Sequence, residues 1–270
     1  MNIQNKTILV TGAGSGIGKE LVLALLEKGA IVAAADIHNI ALAELKQQIG
    51  EESKDISIHV VDISDKTAIE DMAKSVITEH GHIDGVINCA GIIQPFIKIN
   101  DLGYDAINKV MNINFFGTLY MAKTFLPYLL KRPEAHIVNI SSMGGFLPVP
   151  GQGIYGASKA AVKLMTEALY AELIDTNVRV SVVFPGATQT NITKNSGVKV
   201  PKMPAGNTKN QNIKMTSASD AAKTIIIGIE KNKFQIFIGS DSKFMNLLYK
   251  ISPKFATGFI AKQMKSLLPK

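Results

Sequence analysis

Short runs of apolar and β-branched residues alternate along this chain with longer segments whose apolar positions recur every three or four residues. The runs KTILVT (6–11), AIVAAAD (30–36), ISIHVVD (56–62), DGVIN (84–88), HIVNIS (136–141), VRVSVVF (178–184) and FQIFIG (234–239) predict strands. Several are apolar at consecutive positions, the pattern of a strand covered on both faces. The helical period predicts helices near 16–28, 39–49, 65–80, 103–130, 153–175 and 218–232. Such alternation demands right-handed crossovers, so the expectation is an α/β fold: one doubly wound domain, mainly a seven-stranded parallel sheet flanked by helices.

Two stretches depart from this rhythm. Residues 188–219 are rich in Asn, Thr, Lys, Gly and Pro, and a loop of that length in a compact domain is usually functional. Residues 241–270 follow the last strand and read as helix interrupted at Pro253. The expected division is a domain over 1–240 and, over 241–270, a basic amphipathic helical extension of that domain.

Composition narrows the picture. The chain has 270 residues, 46% of them hydrophobic, enough for a substantial core. Its single cysteine, Cys89, excludes an internal disulfide. The opening MNIQNKTILVTG has no apolar segment of signal-peptide length, and no run reaches the roughly 18 apolar residues of a spanning helix. A cytoplasmic protein is expected, with attachment to a membrane surface left open.

Directly after the first strand comes TGAGSGIG (11–18), which then opens a helix. Glycines let backbone turn sharply and approach a pyrophosphate, and the helix start offers free N–H groups and a positive dipole end. The spacing is Gly12-xxx-Gly16-x-Gly18; a glycine loop alone is a weak signal, but its place between strand and helix points to a dinucleotide. The second strand ends in Asp36, 18 residues beyond Gly18. A carboxylate there can accept from both hydroxyls of an adenosine ribose and repels a 2′-phosphate, so the site is expected to take NAD rather than NADP. Ser15 and Ile37 offer no base to counter that charge; the bland alternative is that Asp36 caps the next helix. VDIS (61–64) and NCAG (88–91) end the third and fourth strands, where ligands bind in open parallel sheets.

YGASK (155–159) places Tyr155 and Lys159 four residues apart, on one helix face. An ammonium beside a phenol lowers its pKa, and such a tyrosine can exchange a proton with an alcohol or a carbonyl near neutral pH. The pair is common by chance on helices. Thirteen residues earlier, NISS supplies Ser142, within reach of the same oxygen. Asn114 stands in the apolar NINFFGT (112–118), where a buried amide needs partners, although Asn112 is an equal candidate. His38, His59, His80, His82 and His136 show no metal-ligand spacing and are expected at the surface or at strand edges.

The ordered set TGAGSGIG, Asp36, VDIS, NCAG, NFFG, NISS, YGASK and FPGATQT (184–190) resembles the short-chain dehydrogenase/reductase family, over nearly the full length to about residue 239. The resemblance implies a Rossmann-type domain whose catalytic residues are Asn114, Ser142, Tyr155 and Lys159. Tyr155 would be the general acid/base, Lys159 would lower its pKa and hold the nicotinamide ribose, Ser142 would orient the substrate oxygen, and Asn114 would hold a relay water. The implied cofactor set is Gly12, Ser15, Gly16, Ile17, Gly18, Asp36, Asp62, Ile63, Asn88, Ala90, Gly91, Tyr155, Lys159, Pro185, Gly186, Thr188 and Thr190, with no metal. Residues 188–219 would cover the substrate. Two departures stand out: Cys89 replaces an asparagine, and Thr188 replaces a frequent aliphatic residue.

The implied function is NAD(H)-dependent interconversion of a secondary alcohol and a ketone, and the chain's own basic amphipathic tail adds the expectation of a hydrophobic or lipid-like substrate. Alternatives are a 3-oxoacyl thioester reductase using NADPH with an acyl carrier, and a dinucleotide-sensing or scaffold protein. Net charge is +7, but 188–219 and 241–270 hold eleven lysines against one aspartate, so the remainder is net −3. The tail interleaves its lysines with apolar residues from Phe244 to Leu268. A basic amphipathic segment suits an anionic membrane surface, an acidic carrier, or packing on its own subunit. Nucleic acid is not expected as a partner, and a homodimer or homotetramer through the two long helices is.

Overall fold

The computed structural model describes residues 1–198 and 215–265. Seven strands, β1 (Thr7–Thr11), β2 (Ile31–Asp36), β3 (Ile56–Val60), β4 (Gly85–Asn88), β5 (Ala135–Ile140), β6 (Val178–Pro185) and β7 (Gln235–Ile238), form one sheet in the order β3-β2-β1-β4-β5-β6-β7. Every pairing is parallel. The helices are α1 (Gly16–Glu27), α2 (Asn39–Ile49), α3 (Lys66–His80), α4 (Tyr104–Met111), α5 (Thr118–Leu129), α6 (Gly153–Glu172), α7 (Ile192–Asn195), α8 (Ala218–Glu230), α9 (Ser240–Ile251) and α10 (Pro253–Met264).

The uninterrupted apolar strands are explained by a two-sided core. Successive strand side chains point to opposite faces. Ile8, Val10, Val32, Ala34, Val138 and Ile140 therefore join one cluster with Leu21 and Leu25 of α1, Leu42 and Leu45 of α2, and Ile225 and Ile229 of α8. Leu9, Ala33, Ala35 and Ile137 face the other way, against Ile69, Met72 and Val76 of α3 and Phe125 and Leu129 of α5. After β3 the chain crosses back over β1 to place β4 on its far side. That reversal opens a crevice at the carboxyl ends of β1 and β4, the place where open α/β sheets bind ligands.

The expected helix over 103–130 is not continuous. Between α4 and α5 lies a π-helical segment, Asn112–Gly117. A π turn adds one residue, shifting the facing of the chain, and such turns are frequent at functional sites. Here it leaves Asn112 exposed and buries Asn114 completely, which resolves the choice between them. It also seats Gly117 against β3's exit, where a Cβ would come within 2.9 Å of the Ile63 carbonyl oxygen.

One histidine departs from the surface or strand-edge placement expected of it. His136 sits inside β5, 1% exposed, with Nε2 2.8 Å from Ser181 Oγ. Burial pushes its pKa down to about 3, so it remains a neutral core residue. His59 is also buried, on the edge strand β3. Of the segment 188–219, residues 199–214 lie outside the described residues, as do 266–270 of the tail.

Candidate active site

The glycine loop forms because the end of β1 must pass very close to the end of β4. Gly12 has φ +70°, and a Cβ there would lie 2.9 Å from Ala90 Cα, so both the turn and the approach exclude a side chain. Cys89 and Ala90 donate their backbone N–H groups to Thr11 Oγ1 at 3.0 and 3.1 Å, fastening the two strand ends together. Ser15, extended at φ −157°, precedes α1 but makes no side-chain cap, so the N–H groups of α1's first turn open toward the crevice.

That crevice is a cleft of about 280 Å³ running across the carboxyl ends of the strands. Gly12, Ser15, Gly16, Ile17 and Gly18 form one wall, with Asp36, Asp62 and Ile63 at the end beyond β2 and β3. Ala90, Gly91, Ser142, Tyr155 and Lys159 lie at the other end, under Pro185, Gly186, Thr188 and Thr190. Every residue of the expected cofactor set except Asn88 therefore lines one cleft. Asn88 lies behind it, buried, its Nδ2 donating to Asn139 Oδ1 at 2.7 Å as a tie between β4 and β5.

Asp36 is held firmly. Oδ2 accepts from Gly14 N at 2.9 Å, and Oδ1 accepts from His38 N at 2.9 Å. The His38 ring is the unforeseen member, with Nδ1 2.9 Å from the same oxygen. The sequence reading found no base near this carboxylate; the signal it overlooked was a histidine two residues on, where an Asx-type turn brings the ring back. Asp62 is exposed and accepts from Ser64 N and Ser64 Oγ at 2.8 and 2.7 Å.

At the opposite end, Ser142 is extended (φ −166°) and its Oγ accepts from Gly144 N at 3.0 Å, which directs the hydroxyl proton outward. Lys159 is buried, and its Nζ donates to Ile140 O at 2.9 Å. A Cβ placed on Gly91 would be 3.1 Å from Lys159 Nζ and 3.2 Å from Asn114 Oδ1, so backbone alone separates these two groups. Asn114 itself lies behind the cleft lining. Its Oδ1 accepts from Ile92 N at 2.8 Å, its Nδ2 donates to Ile92 O and Ser158 Oγ at 2.9 and 3.0 Å, and its carbonyl accepts from Thr118 Oγ1 at 2.8 Å. The amide is a bracket between the loop after β4 and α6.

The electrostatics run against one expectation. Burial pushes the Tyr155 phenol up from its ordinary value, and contact with the Ser142 hydroxyl only partly offsets this. Burial brings the Lys159 amine down to about 8, so the lysine rather than the phenol is the group poised near neutrality. Cys89, in the cleft wall, has its thiol pushed up to about 12, first by burial, and is inert.

Two further residues shape the site. Gln94 is fully buried in IIQPF (92–96), a stretch outside all of the motifs above. Its Oε1 accepts from Ile154 N and Tyr155 N at 2.8 and 3.0 Å, and its Nε2 donates to Gly151 O at 2.9 Å. Gln94 thus caps the helix that carries Tyr155 and Lys159. On the glycine side, Asn195 Nδ2 donates to Ser15 Oγ at 2.7 Å, and Ile93 N donates to Ser196 Oγ at 3.0 Å. These contacts hold α7 across the cleft.

The residues present fit a dinucleotide: an uncapped helix start suits a pyrophosphate, a fixed carboxylate at one end suits a ribose diol, and a half-buried tyrosine and a buried lysine stand at the other. Among the described residues, His59, Glu79 and His80 bring donor atoms within 4.8 Å of one another, which their spacing had not revealed. Ser57 Oγ lies 2.8 Å from His59 Nε2 and 2.7 Å from His80 Nε2 and bridges the two rings.

Known proteins agree with this geometry. Residues 6–200 match the family described as short chain dehydrogenase. A 1-deoxy-11-beta-hydroxypentalenate dehydrogenase from Streptomyces avermitilis is 33% identical over 246 residues, 90% of this chain and 88% of the relative. A short chain dehydrogenase/reductase from Burkholderia phymatum in complex with NAD superposes with a TM-score of 0.79 at 26% identity, covering 88% of this chain and 90% of that one. A short chain dehydrogenase from Burkholderia cenocepacia in complex with NADP gives 0.79 at 25% identity, covering 96% and 99%.

Proposed function

The chain belongs to the short chain dehydrogenase family, NAD(P)-dependent oxidoreductases acting on CH–OH groups, and within it we propose an NAD(H)-dependent enzyme that interconverts an apolar secondary alcohol and its ketone. The observation that carries the NAD preference is Asp36, a carboxylate fixed by Gly14 and His38 at the cleft end where a 2′-phosphate would have to lie. Support for an apolar substrate comes from Ile92, Ile113, Ile140 and Ile192, which line the same cleft. The hydroxypentalenate dehydrogenase among its relatives acts, by its name, on a hydroxylated carbon skeleton, which favours the alcohol reading over a sensor or scaffold.

A bound nicotinamide dinucleotide supplies the hydride acceptor in oxidation and the donor in reduction. Tyr155 exchanges the proton of the substrate oxygen. Ser142, its acceptor side occupied by Gly144 N, turns its O–H toward the same oxygen and fixes its position. Lys159 spends one donor on Ile140 O and keeps the others for the phenolic oxygen and the cofactor ribose. Because the amine gives up its proton near pH 8, it can relay what the phenol receives. The first turn of α1 would hold the pyrophosphate, and Thr188 and Thr190 would close the nicotinamide end. Exposed Tyr104, Phe116 and Leu164 on the α4–α6 side support assembly of a homodimer or homotetramer there.

The test is reduced-nicotinamide formation with NAD and, separately, NADP across small diols, long-chain and polycyclic secondary alcohols, and 3-hydroxyacyl thioesters. Turnover with NAD on the apolar alcohols is expected. A preference for NADP and thioesters would replace this reading with the acyl-carrier reductase. Tyr155→Phe is expected to lower kcat by at least about 10²-fold with dinucleotide binding retained.

A further inference from the structure

The tail after β7 has two faces with different chemistry. Its inner face packs on the chain's own body. Met245, Ala256 and Ile260 are buried with Leu147, Ser242 Oγ donates to Phe184 O at 2.8 Å, and Asp241 Oδ2 accepts from Ala187 N at 2.7 Å. Met143 and Phe146, immediately after Ser142, pack against the same cluster. The tail is therefore fixed beside the substrate end of the cleft.

Its outer side is apolar on both helices. Phe244, Leu247 and Ile251 recur at intervals of three and four residues on α9, and Phe255 and Phe259 lie four apart on α10; Ser252, non-helical at φ −146°, separates the two helices. All five are exposed, from 39% at Phe259 to 74% at Ile251. Five large apolar side chains exposed on two successive helices mark an interaction surface, because single exposed residues are ordinary but a run of them is not.

Charge decides what fits. Lys243, Lys250, Lys254, Lys262 and Lys265 are all exposed on these two helices. Asp241, the only acidic residue of the tail, is turned inward onto Ala187 N. The exposed surface of the described tail thus offers five cations and no anion around these apolar residues. The buried core of a protein–protein interface is depleted in lysine, whereas a helix lying on an anionic bilayer buries its apolar face and sets lysines among the headgroups. No helix among the described residues is long and apolar enough to cross a membrane, so contact would run along the surface.

We propose that the outer face of α9 and α10 docks on the surface of an anionic lipid bilayer. Docking depends only on this face, whatever substrate and cofactor the cleft takes. The full-length protein is sedimented with vesicles of phosphatidylcholine alone and of phosphatidylcholine mixed with phosphatidylglycerol, at low and high salt. Two double variants, Ile251→Ser with Phe255→Ser and Lys250→Gln with Lys254→Gln, are run beside it, all four positions being exposed and outside the cleft. Circular dichroism and turnover of a soluble substrate check that both remain folded.

The wild type is expected to pellet with the mixed vesicles, to release as salt rises, and to ignore the neutral ones. Neutralising two lysines should weaken partitioning roughly 30-fold, from the typical worth of a lysine at an anionic surface, and the serine pair at least as much. Failure of the wild type to bind mixed vesicles would overturn the proposal, as would binding that neither double variant weakens. Light scattering that showed a dimer lost only in the serine variant, without vesicle binding, would assign the face to a second copy instead.

Discussion

Gln94→Met removes hydrogen bonds without opening a cavity, because the two side chains have similar length and volume. In the native fold the glutamine amide serves three backbone groups at the start of α6: it accepts from Ile154 N and Tyr155 N and donates to Gly151 O. No side chain from α6's own N-cap position, Gln152, does this work, since the Gln152 amide donates instead to Gln94 O at 2.8 Å. Losing a helix cap costs about 1–2 kcal/mol, and a buried group left without a partner adds about 1–3 kcal/mol. Gln94 is fully buried, so water cannot replace the lost partners, and a total of about 3 kcal/mol follows. For a chain of this size that corresponds to a fall of roughly 6–10 °C in Tm. The kinetic consequence is specific, because one of the released N–H groups belongs to Tyr155. A small displacement of a reacting group costs up to about 10²-fold, so kcat should fall about 10- to 100-fold. KM for the dinucleotide should barely move, since Asp36 and the glycine loop do not touch Gln94. Urea unfolding and steady-state kinetics on the same preparations read both effects. A variant that loses stability but keeps kcat would show that Gln94 supports the fold without positioning the tyrosine. Loss of less than about 0.5 kcal/mol would refute the accounting itself.

Four further outcomes are expected. In the oxidation direction, kcat/KM should rise with pH along a limb near 8, because Lys159 is the group of the pair held down to about that value, and Lys159→Met should move the limb above the ordinary tyrosine range. Stability should carry the same signature. A lysine depressed in the fold binds fewer protons there than in the unfolded chain between about 8 and 10.5, so the penalty for charging it is full below pH 8 and fades as pH rises, while the raised phenol of Tyr155 withdraws stability above its ordinary value; urea midpoints across this range, with and without Lys159→Met, measure the slope. Asp36→Asn should shift the ratio of kcat/KM for NADP over NAD upward by roughly 100-fold, the scale of one carboxylate–phosphate repulsion at the rim of a cleft. Asn195→Ala frees α7 from Ser15 and should raise the dinucleotide KM by about two- to fivefold, as for one exposed hydrogen bond, with kcat little changed.

What could be read from the sequence was local or ordered. The strands were legible because a parallel sheet covered on both sides needs apolar residues at successive positions, and KTILVT, IVAAAD and HIVNI supply them. The cleft was legible because its walls come from strand ends in chain order, so Gly12, Asp36, Asp62 and Ala90 could be placed without knowing a single contact. His38 is within reach of the same logic, because an Asx-type turn at Asp36 returns the residue two positions on to that carboxylate. His136 could not have been placed so simply: its burial depends on Ser181, 45 residues on, arriving on the neighbouring strand at hydrogen-bond distance.

The sign of the Tyr155 shift was hidden for a different reason. A lysine four residues on predicts a depressed phenol only if the surroundings are neutral to charge, and here burial opposes ionisation of both groups. The contacts that hold the tyrosine's helix were hidden too, although Asn114 itself stood out as an amide in need of partners. Gln94 reaches α6 across 60 residues of chain, and Asn114 reaches Ile92 and Ser158 only because one π turn rotates it inward past Asn112. Gln94 needs no motif, since any segment that the fold delivers to the start of α6 could carry the acceptor. A single sequence therefore exposes the residues that react, which chemistry restricts to few types at fixed spacing. It conceals those that position them, whose only requirement is to arrive.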